Sequence, residues 1–283
     1  MATKSDYPAD PVEACRAVMA ELWTALAAYN EYMVLIGGWV PYFLLERHSR
    51  TDPGHVGSLD VDLALDASRI PEVAYQTILD ILQKRGYRQR RDRLGRPIPF
   101  SYLRTVETVE DMTVEVQVDF LAPEYGGTGK SRRHQVVQDL LARKVRGADL
   151  VFDHFEVETL EACLPNRAVV DVTLKVANAA ACLVMKGITL AQRLQEKDAY
   201  DLYLLSKHYK GGPTSLAEEV AALGRNRVVQ EALVGIRKRF SRVDGAGPTA
   251  VADFMEITDR DERELVMRDA FEVVNILLGK LGG

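Results

Sequence analysis

The sequence predicts an α+β protein in which a small mixed β-sheet is followed by an all-helical region. Residues 59–65 and 113–121 alternate apolar and polar side chains, which is the pattern of strands with one buried face. From about Val172 the apolar residues recur at helical spacing nearly to the end of the chain. We therefore predict a sheet domain over residues 1–170 and a helical domain over residues 171–283, with no low-complexity linker between them.

The first elements follow from a helix start and a short apolar run. Asp10 precedes a proline and favours a helix start, and the residues that follow have apolar positions at helical spacing, so this helix should cover the sheet. Residues 33–36 are predicted to form an apolar strand, and Gly37 and Gly38 form a turn. A helix over residues 39–48 follows the turn.

The remaining elements of the first domain are predicted from helix start and stop signals and from the alternation of apolar and polar residues in strands. A helix is predicted to begin at Pro71 and to end at Gly86. Residues 98–105 and 113–121 are predicted strands, and residues 152–160 alternate like another strand. This succession of strands and helices precedes the helical domain.

Two aspartates project side by side from the predicted strand over residues 59–65. Because successive side chains of a strand point to opposite faces, Asp60 and Asp62 share the face opposite Val61 and Leu63. Like charges held this close repel each other, and Mg²⁺ is the usual cation that neutralises clustered carboxylate oxygens. The same alternation places Asp119 on the polar face of the strand over residues 113–121.

The glycine pair supplies a complementary feature. Glycines in a strand-to-helix turn allow the backbone to approach a ligand closely, and the N–H groups of the turn and of the helix start can point at phosphate. Gly37 and Gly38 occupy such a turn. Together with the acidic pair they indicate a site for a nucleoside triphosphate and magnesium.

This stretch resembles the signature of the polymerase-β-like nucleotidyltransferases, in which a Gly-Gly or Gly-Ser turn, a helix and an Asp-x-Asp strand follow in order. The resemblance implies two Mg²⁺ ions held by Asp60, Asp62 and a third acid, for which Asp119 is the candidate. It also implies that Gly37 and Gly38 cradle the phosphates of an NTP. The interval before Asp60 is longer than in compact family members because of an inserted loop over residues 49–57, and Ser58 after it is a candidate hydroxyl contact.

A second group of candidate residues opens the helical domain. If the chain is helical from Lys186 to Asp201, then Lys186, Arg193, Lys197 and Asp201 fall in one stripe. This segment, with Asp198-x-x-Asp201, resembles the carboxyl-terminal motif of the AbiEii-type nucleotidyltransferase toxins. The resemblance implies that Lys186 neutralises triphosphate charge from the second domain, with Arg193 a further nucleotide contact. Asp198 and Asp201 would either orient these cations or accept a proton from the acceptor hydroxyl.

The resemblance therefore implies transfer of an NMP from an NTP to an acceptor hydroxyl, with release of pyrophosphate. The implied acceptor is RNA, such as the 3′ end of a tRNA, or a protein, and an AbiEii-type toxin implies a cognate antitoxin. Two alternatives stay open: a small-molecule nucleotidyltransferase of the antibiotic-modifying type, and a nucleotide-binding protein that does not turn over. Basic clusters at residues 84–96, 130–134, 143–146 and 237–242 leave room for an RNA partner despite the net charge of −5.

Composition excludes several other classes. The 283 residues are 47% hydrophobic and 27% charged, as in ordinary soluble proteins, and we expect a cytoplasmic protein with no membrane span or signal peptide. The three cysteines, Cys15, Cys163 and Cys182, are too far apart to indicate a disulfide framework or a zinc site. Gly129-Lys130-Ser131 lacks the first glycine of a phosphate-binding P-loop, so that motif is rejected.

Overall fold

A computed structural model describes residues 2–70, 77–108, 112–124, 134–224 and 226–282. It confirms the predicted α+β class, since a mixed sheet is followed along the chain by helices. The chain forms two compact units, each built from separate segments. The sheet unit comprises Pro8–Trp39 and Ser58–Ala177, and the helical unit comprises Met1–Tyr7, Val40–Gly57 and Asn178–Gly283. The change from strands to helices falls at Asn178.

The sheet unit contains nine strands within the described residues. These are β1 (Met33–Ile36), β2 (Asp60–Leu65), β3 (Arg88–Arg91), β4 (Pro97–Glu107), β5 (Thr113–Pro123), β6 (His134–Val137), β7 (Leu140–Val145), β8 (Phe155–Cys163) and β9 (Val169–Ala177). Their order is β3-β4-β5-β2-β1-β9-β8, with β7 beside the end of β5 and β6 beside β7. β2 is antiparallel to β1 and parallel to β5, so the sheet is mixed.

Helix α1 (Ala9–Ala25) covers one face of this sheet and buries Val18, Met19, Leu22 and Trp23. It begins at Ala9 after Pro8 and not at the predicted Asp10, because the segment before the aspartate is already compatible with the first turn. The second helix of the unit is α3 (Ile78–Lys84), capped by the Thr77 side chain. Its predicted start at Pro71 lies outside the described residues. The predicted C-terminal cap at Gly86 is confirmed, since this glycine has a φ of +81°.

A buried ion pair fastens α1 to the sheet. Glu21 accepts hydrogen bonds from Arg104 Nε at 2.9 Å, from Arg104 Nη2 at 3.0 Å and from the Tyr87 hydroxyl at 2.8 Å. Arg104 and Ser101 lie three residues apart on β4, so they face opposite sides of the sheet. The face that carries Ser101 is therefore the one away from α1.

Several predicted boundaries are confirmed, and one is wrong. The strand over residues 33–36 and the helix over residues 39–48 have the predicted bounds. The helical pattern does not begin at Val172, because residues 169–177 form strand β9, which pairs with β8 over its whole length and with β1. The alternation of valines and polar residues in this segment suits a strand, and tertiary structure supplies the neighbouring strands β8 and β1.

The helical unit contains α2 from Val40 onward and six further helices in the described residues. The helices are α2 (Trp39–His48), α4 (Ala179–Gln192), α5 (Glu196–His208), α6 (Pro213–Ala222), α7 (Arg227–Arg239), α8 (Ala246–Phe254) and α9 (Arg260–Leu281). The predicted continuous helix from Lys186 to Asp201 is wrong, because α4 ends at Gln192 and α5 begins at Glu196. Within the described residues, no helix is both long enough and apolar enough to cross a membrane.

Helices α4 and α7 approach each other through two glycines. A Cβ atom at Gly235 would lie 2.6 Å from the carbonyl oxygen of Gly187 and 2.7 Å from the Cβ of Ala191. A Cβ atom at Gly187 would lie 2.9 Å from the carbonyl oxygen of Ala232. The close backbone contact fixes the part of α4 that carries Lys186.

We expect Gly235→Ala to lower the free energy of unfolding by about 1–3 kcal/mol, the usual cost of overpacking a tight contact. Gly279 on α9 is the matched control, because nothing lies within 4 Å of a Cβ placed there. Gly279→Ala should raise the free energy of unfolding by about 0.5–1 kcal/mol through helix propensity. Urea denaturation measures both variants, and equal effects at the two positions would contradict the packing described here.

Candidate active site

Three aspartates lie on two neighbouring strands of the sheet unit. In the parallel pairing of β2 with β5, Asp62 is directly opposite Asp119, and Asp60 is opposite Gln117. Val61 and Leu63 are fully buried, while Asp60 and Asp62 are half-buried, which confirms the predicted alternation. Tertiary structure thus places Asp119 on the strand next to the Asp-x-Asp pair, as predicted.

Gly37 allows the chain to pass directly beside Asp62. Its φ of +78° is in the region that favours glycine, and a Cβ atom added to it would lie 2.1 Å from Oδ2 of Asp62. Any larger residue would therefore displace the carboxylate. Gly38 completes the turn, and α2 begins at the next residue. The glycine turn and the acid pair are thus one local arrangement, joined by the pairing of Ile36 with Asp62.

Two of the acids are held by neutral donors. The buried Ser58 hydroxyl donates to Oδ1 of Asp60 at 2.6 Å, so Ser58 orients this carboxylate. Oδ1 of Asp119 accepts from the Ser101 hydroxyl at 2.5 Å and from Nε2 of Gln117 at 3.0 Å. These bonds fix where the two carboxylates point without neutralising their charge.

The charge on Asp119 is only partly compensated. Burial raises the pKa of Asp119, and the nearby carboxylate of Asp60 raises it further. The hydrogen bonds from Ser101 and Gln117 and the positive charge of Arg90 lower the pKa, but the net shift is upward. The protein therefore holds an acid here at a cost in folding free energy.

The donor chemistry of this group suits a hard cation, because every candidate ligand atom is a carboxylate oxygen. In the described residues, however, no three His, Cys, Asp or Glu side chains form a group that could hold one metal ion as they stand. The hydrogen bonds from Ser58 and Ser101 use Oδ1 of Asp60 and Oδ1 of Asp119, so the Oδ2 atoms of both carboxylates take no part in these bonds.

A second cluster of ionic side chains lies within the helical unit. Oδ2 of Asp201 lies 2.6 Å from Nζ of Lys186, and Oδ1 of Asp201 lies 3.1 Å from Nζ of Lys197 and 2.9 Å from Nε2 of His55. Lys186 also donates to Oδ1 of Asp198 at 3.1 Å. Asp201 is completely buried, and only 7% of the Lys186 side chain is exposed.

Mutual compensation governs the pKa values in this cluster. Burial would raise the pKa of Asp201, but Lys186 and Lys197 outweigh burial and hold it far below the usual range. Burial would lower the pKa of Lys186, but the carboxylates of Asp201 and Asp198 hold it well above its usual value. Burial and the charge of Lys186 lower the pKa of Lys197, although Asp201 opposes them. The two carboxylates therefore favour the charged form of Lys186.

Asp201 and Asp198 differ in how many of their carboxylate oxygens already accept hydrogen bonds. Both oxygens of Asp201 already accept from charged or N–H donors, and its low pKa makes it a poor proton acceptor. The Oδ2 atom of Asp198 is buried and has no hydrogen-bond partner within the part of the chain that the structure describes. Of the two predicted roles, orientation of Lys186 therefore fits Asp201.

Arg193 is not part of the cluster. It is exposed at the carboxyl end of α4, after the last helical residue, Gln192. The predicted stripe of Lys186, Arg193 and Asp201 on one helix is wrong, because residues 193–195 interrupt the helix. Lys186 instead reaches Asp201 by the packing of α4 with α5.

Three residues that contact the predicted site residues, Ser101, Gln117 and His55, were not predicted from the sequence. Ser101 and Gln117 could have been found from the sequence, since strand alternation places each on the polar face of its strand. His55 has no local signal, because it lies in an irregular loop and meets Asp201 across 146 residues of sequence.

Neither a family model nor a curated protein matches this sequence. Among solved structures, an antigenic nucleotidyltransferase-like protein from Paracoccidioides brasiliensis is 12% identical, with a TM-score of 0.43, over 95% of this chain and 95% of that chain. MenT4, a nucleotidyltransferase toxin from Mycobacterium tuberculosis, is 14% identical, with a TM-score of 0.39, over 97% of this chain and 90% of that chain.

We expect Asp119→Asn to stabilise the protein at pH 7. The raised pKa means that the folded state binds this proton more tightly, so the stability that Asp119 contributes below the unfolded pKa near 3.8 is lost as pH rises through the folded pKa. Asparagine keeps an oxygen acceptor for Ser101 without the charge. The melting temperature should rise by roughly 2–4 °C at pH 7, and the difference should shrink as the pH is lowered towards 4.

The control for this measurement is Asp171→Asn, since Asp171 is an exposed residue of β9. Its melting temperature should follow that of the wild type at every pH. A destabilised Asp119→Asn variant at pH 7 would show that the charge of Asp119 is fully compensated.

Replacement of Asp201 should have the opposite effect. Asp201→Asn leaves Lys186 and Lys197 buried without their shared carboxylate, so the free energy of unfolding should fall by about 3–5 kcal/mol at pH 7. Because the folded pKa is depressed, this contribution is present above pH 4 and fades as the pH falls below the unfolded value of 3.8. Urea denaturation measures the loss. Asp198→Asn is the comparison, and a loss there as large as that of Asp201→Asn would contradict the central role of Asp201.

Proposed function

We propose that the protein is a nucleotidyltransferase that transfers an NMP from an NTP to an acceptor hydroxyl. The observation that carries the proposal is the register of Asp62 with Asp119, beside a glycine turn that leaves no space for a side chain. In the reaction the acceptor oxygen bonds to the α-phosphorus, and the bond from that phosphorus to the bridging oxygen breaks. Pyrophosphate leaves, and the hydroxyl proton passes to a base or to solvent.

Asp60, Asp62 and Asp119 are the proposed ligands of two Mg²⁺ ions. When bound, magnesium would neutralise charge on the attacking and leaving oxygens of an in-line displacement. The upward shift of the Asp119 pKa, caused by burial and by Asp60, supports this assignment, because a cation would relieve the uncompensated charge. Ser58, Ser101 and Gln117 would orient these carboxylates through their hydrogen bonds.

The remaining site residues have proposed roles in binding the nucleotide. The N–H groups of the turn at Gly37 and Gly38 would bind phosphate oxygens. Lys186 would neutralise triphosphate charge, held in position by Asp201, and Arg193 would be a further nucleotide contact. Asp198, whose Oδ2 atom has no partner within the described residues, fits the second predicted role, acceptance of a hydrogen bond or proton from a hydroxyl.

RNA is the acceptor that the surface near Asp119 favours. Arg88 and Arg90 lie two residues apart on β3 and so share one face of the strand. Arg93 and Arg96 are exposed in the turn that follows. The charge of Arg90 lowers the pKa of Asp119, so this basic strand lies close to the acids. Arg88 pairs with Glu115, and Arg96 pairs with Asp92. The further positive charges of Arg90 and Arg93 suit a polyanion better than a small neutral acceptor. The basic residues 130–133 lie outside the described residues.

The resemblance to the AbiEii-type toxins extends the proposal to a biological setting. The protein would be the toxin of a toxin–antitoxin or abortive-infection system, acting in the cytoplasm, with a cognate antitoxin as its partner. The motifs that carry this are Lys186 and Asp198-x-x-Asp201, which form one buried cluster.

The test is incubation with each α-labelled NTP, Mg²⁺ and either total cellular RNA or total protein. We expect label in the RNA fraction and a loss of at least about 100-fold in Asp60→Asn, because loss of a metal ligand should exceed the 10–100-fold cost of losing an outer partner. Asp171→Asn should keep wild-type activity, and circular dichroism should show that Asp60→Asn is folded.

The outcomes separate the candidate functions. Full transfer by Asp60→Asn would contradict the assignment of the metal ligands. Label in the protein fraction alone would replace RNA by a protein acceptor. No label with any NTP, together with NTP binding in a calorimetric titration, would identify a nucleotide-binding protein without transfer.

A further inference from the structure

The side chain of His55, in the loop over residues 49–57, is buried, and it has no proposed role in the reaction. Only 3% of its side chain is exposed. The loop belongs to the helical unit, as do Lys186 and Asp201. A loop that is merely inserted would leave a polar ring in solvent, whereas this loop buries the imidazole against a charged cluster.

The hydrogen bonds of the ring define its tautomer. The backbone N–H of Gly57 donates to Nδ1 at 3.1 Å, so this nitrogen carries a lone pair. The proton is therefore on Nε2, which lies 2.9 Å from Oδ1 of Asp201 and donates to it. Burial and the charge of Lys197 lower the pKa of His55 to about 4, which agrees with a neutral ring at pH 7.

Aromatic contacts hold the ring in this position. His55 stacks on Tyr200 with centroids 5.9 Å apart and meets the edge of Tyr42 at 6.3 Å. The Tyr200 hydroxyl donates to the carbonyl oxygen of Gly54 at 3.3 Å. The loop is thus bound to α5 at two points, by the hydrogen bond from the Tyr200 hydroxyl to Gly54 and by the ring of His55.

The bond from His55 determines which oxygen of Asp201 faces Lys186. A carboxylate can rotate about its Cβ–Cγ bond, and the long side chains of Lys186 and Lys197 could follow that rotation. A donor held on Oδ1 by a rigid ring restricts this rotation, so that Oδ2 faces Lys186 at 2.6 Å and Lys197 at 3.2 Å. His55 therefore limits where Nζ of Lys186 can lie.

We propose that His55 is a positioning residue, which acts through Asp201 to fix Lys186 in the place where it neutralises the charge of a bound triphosphate. The effect on catalysis rests on the proposed function, whereas the effect on Lys186 itself does not. The proposal concerns a hydrogen bond that only an N–H donor at the position of Nε2 can supply.

Two variants separate this role from the support of the loop. In His55→Gln the side-chain amide can place an N–H where Nε2 lies, so the bond to Asp201 is kept. In His55→Asn the side-chain oxygen can still accept from Gly57, but the side chain is too short to reach Asp201. We expect His55→Asn to lower kcat for NMP transfer at least tenfold, with less change in KM for the NTP, and His55→Gln to stay within threefold of the wild type.

A chemical readout tests the same bond without any enzyme activity. Acetylation by an N-hydroxysuccinimide ester, followed by mass spectrometry, measures the reactivity of each lysine in the folded protein. Lys186 should be protected in the wild type and in His55→Gln, and it should react several-fold faster in His55→Asn. Lys207, 37% exposed on the same helix as Asp201, should react equally in all three proteins.

A double-mutant cycle completes the test. Because His55 acts through Lys186, His55→Asn should cause no further loss of transfer in a Lys186→Arg background. Additive losses, or unchanged reactivity of Lys186 in His55→Asn, would overturn the proposal. If the wild type transfers no nucleotide but the acetylation pattern is as expected, then the proposed function fails and the positioning of Lys186 by His55 stands.

Discussion

The electrostatic compensation of buried acids is the constraint on which both units of this protein depend. Asp201 is surrounded by two lysines and a histidine N–H, so its charge is matched within the folded chain. Within the described residues Asp119 accepts hydrogen bonds from a hydroxyl and an amide, and the like charge of Asp60 opposes the positive charge of Arg90 nearby. A buried carboxylate that is compensated by cations of the same chain stabilises the folded state. A buried carboxylate that is only partly compensated favours the binding of a cation. This contrast supports the proposed roles, in which Asp201 orients Lys186 and the acids of the sheet bind the metal ions.

The close contacts around both groups follow from small residues at specific positions. Gly37 has no side chain, so β1 can turn directly beside Asp62. Gly187 and Gly235 allow α4 and α7 to approach until backbone and side-chain atoms touch. Since Lys186 precedes Gly187, the glycine contact and the ionic cluster hold the same turn of α4. Rigid support of this kind is what a site needs when its chemistry depends on placing charges.

The loop over residues 49–57 is longer than in compact members of the nucleotidyltransferase family that the sequence resembles, and the structure gives this loop a role. In the sequence it was only a longer interval between the glycine turn and Asp60. In the structure it delivers His55 to Asp201 and is bound to Tyr200 through Gly54. An insertion can therefore add a hydrogen bond to an existing ionic cluster, provided that the ring is buried and its tautomer is set by the backbone.

The sequence by itself determined the strands that carry the acids and the turn that precedes α2. Alternation with a period of two and a glycine pair are local signals, so they predict β1, α2 and the facing of Asp60, Asp62 and Asp119. Tertiary structure alone decided that β2 lies beside β5 in the register that sets Asp62 opposite Asp119. It also decided that Lys186 meets Asp201 from a separate helix and that His55 joins them across 146 residues. Such pairings depend on contacts between distant segments, which leave no periodic trace in either segment.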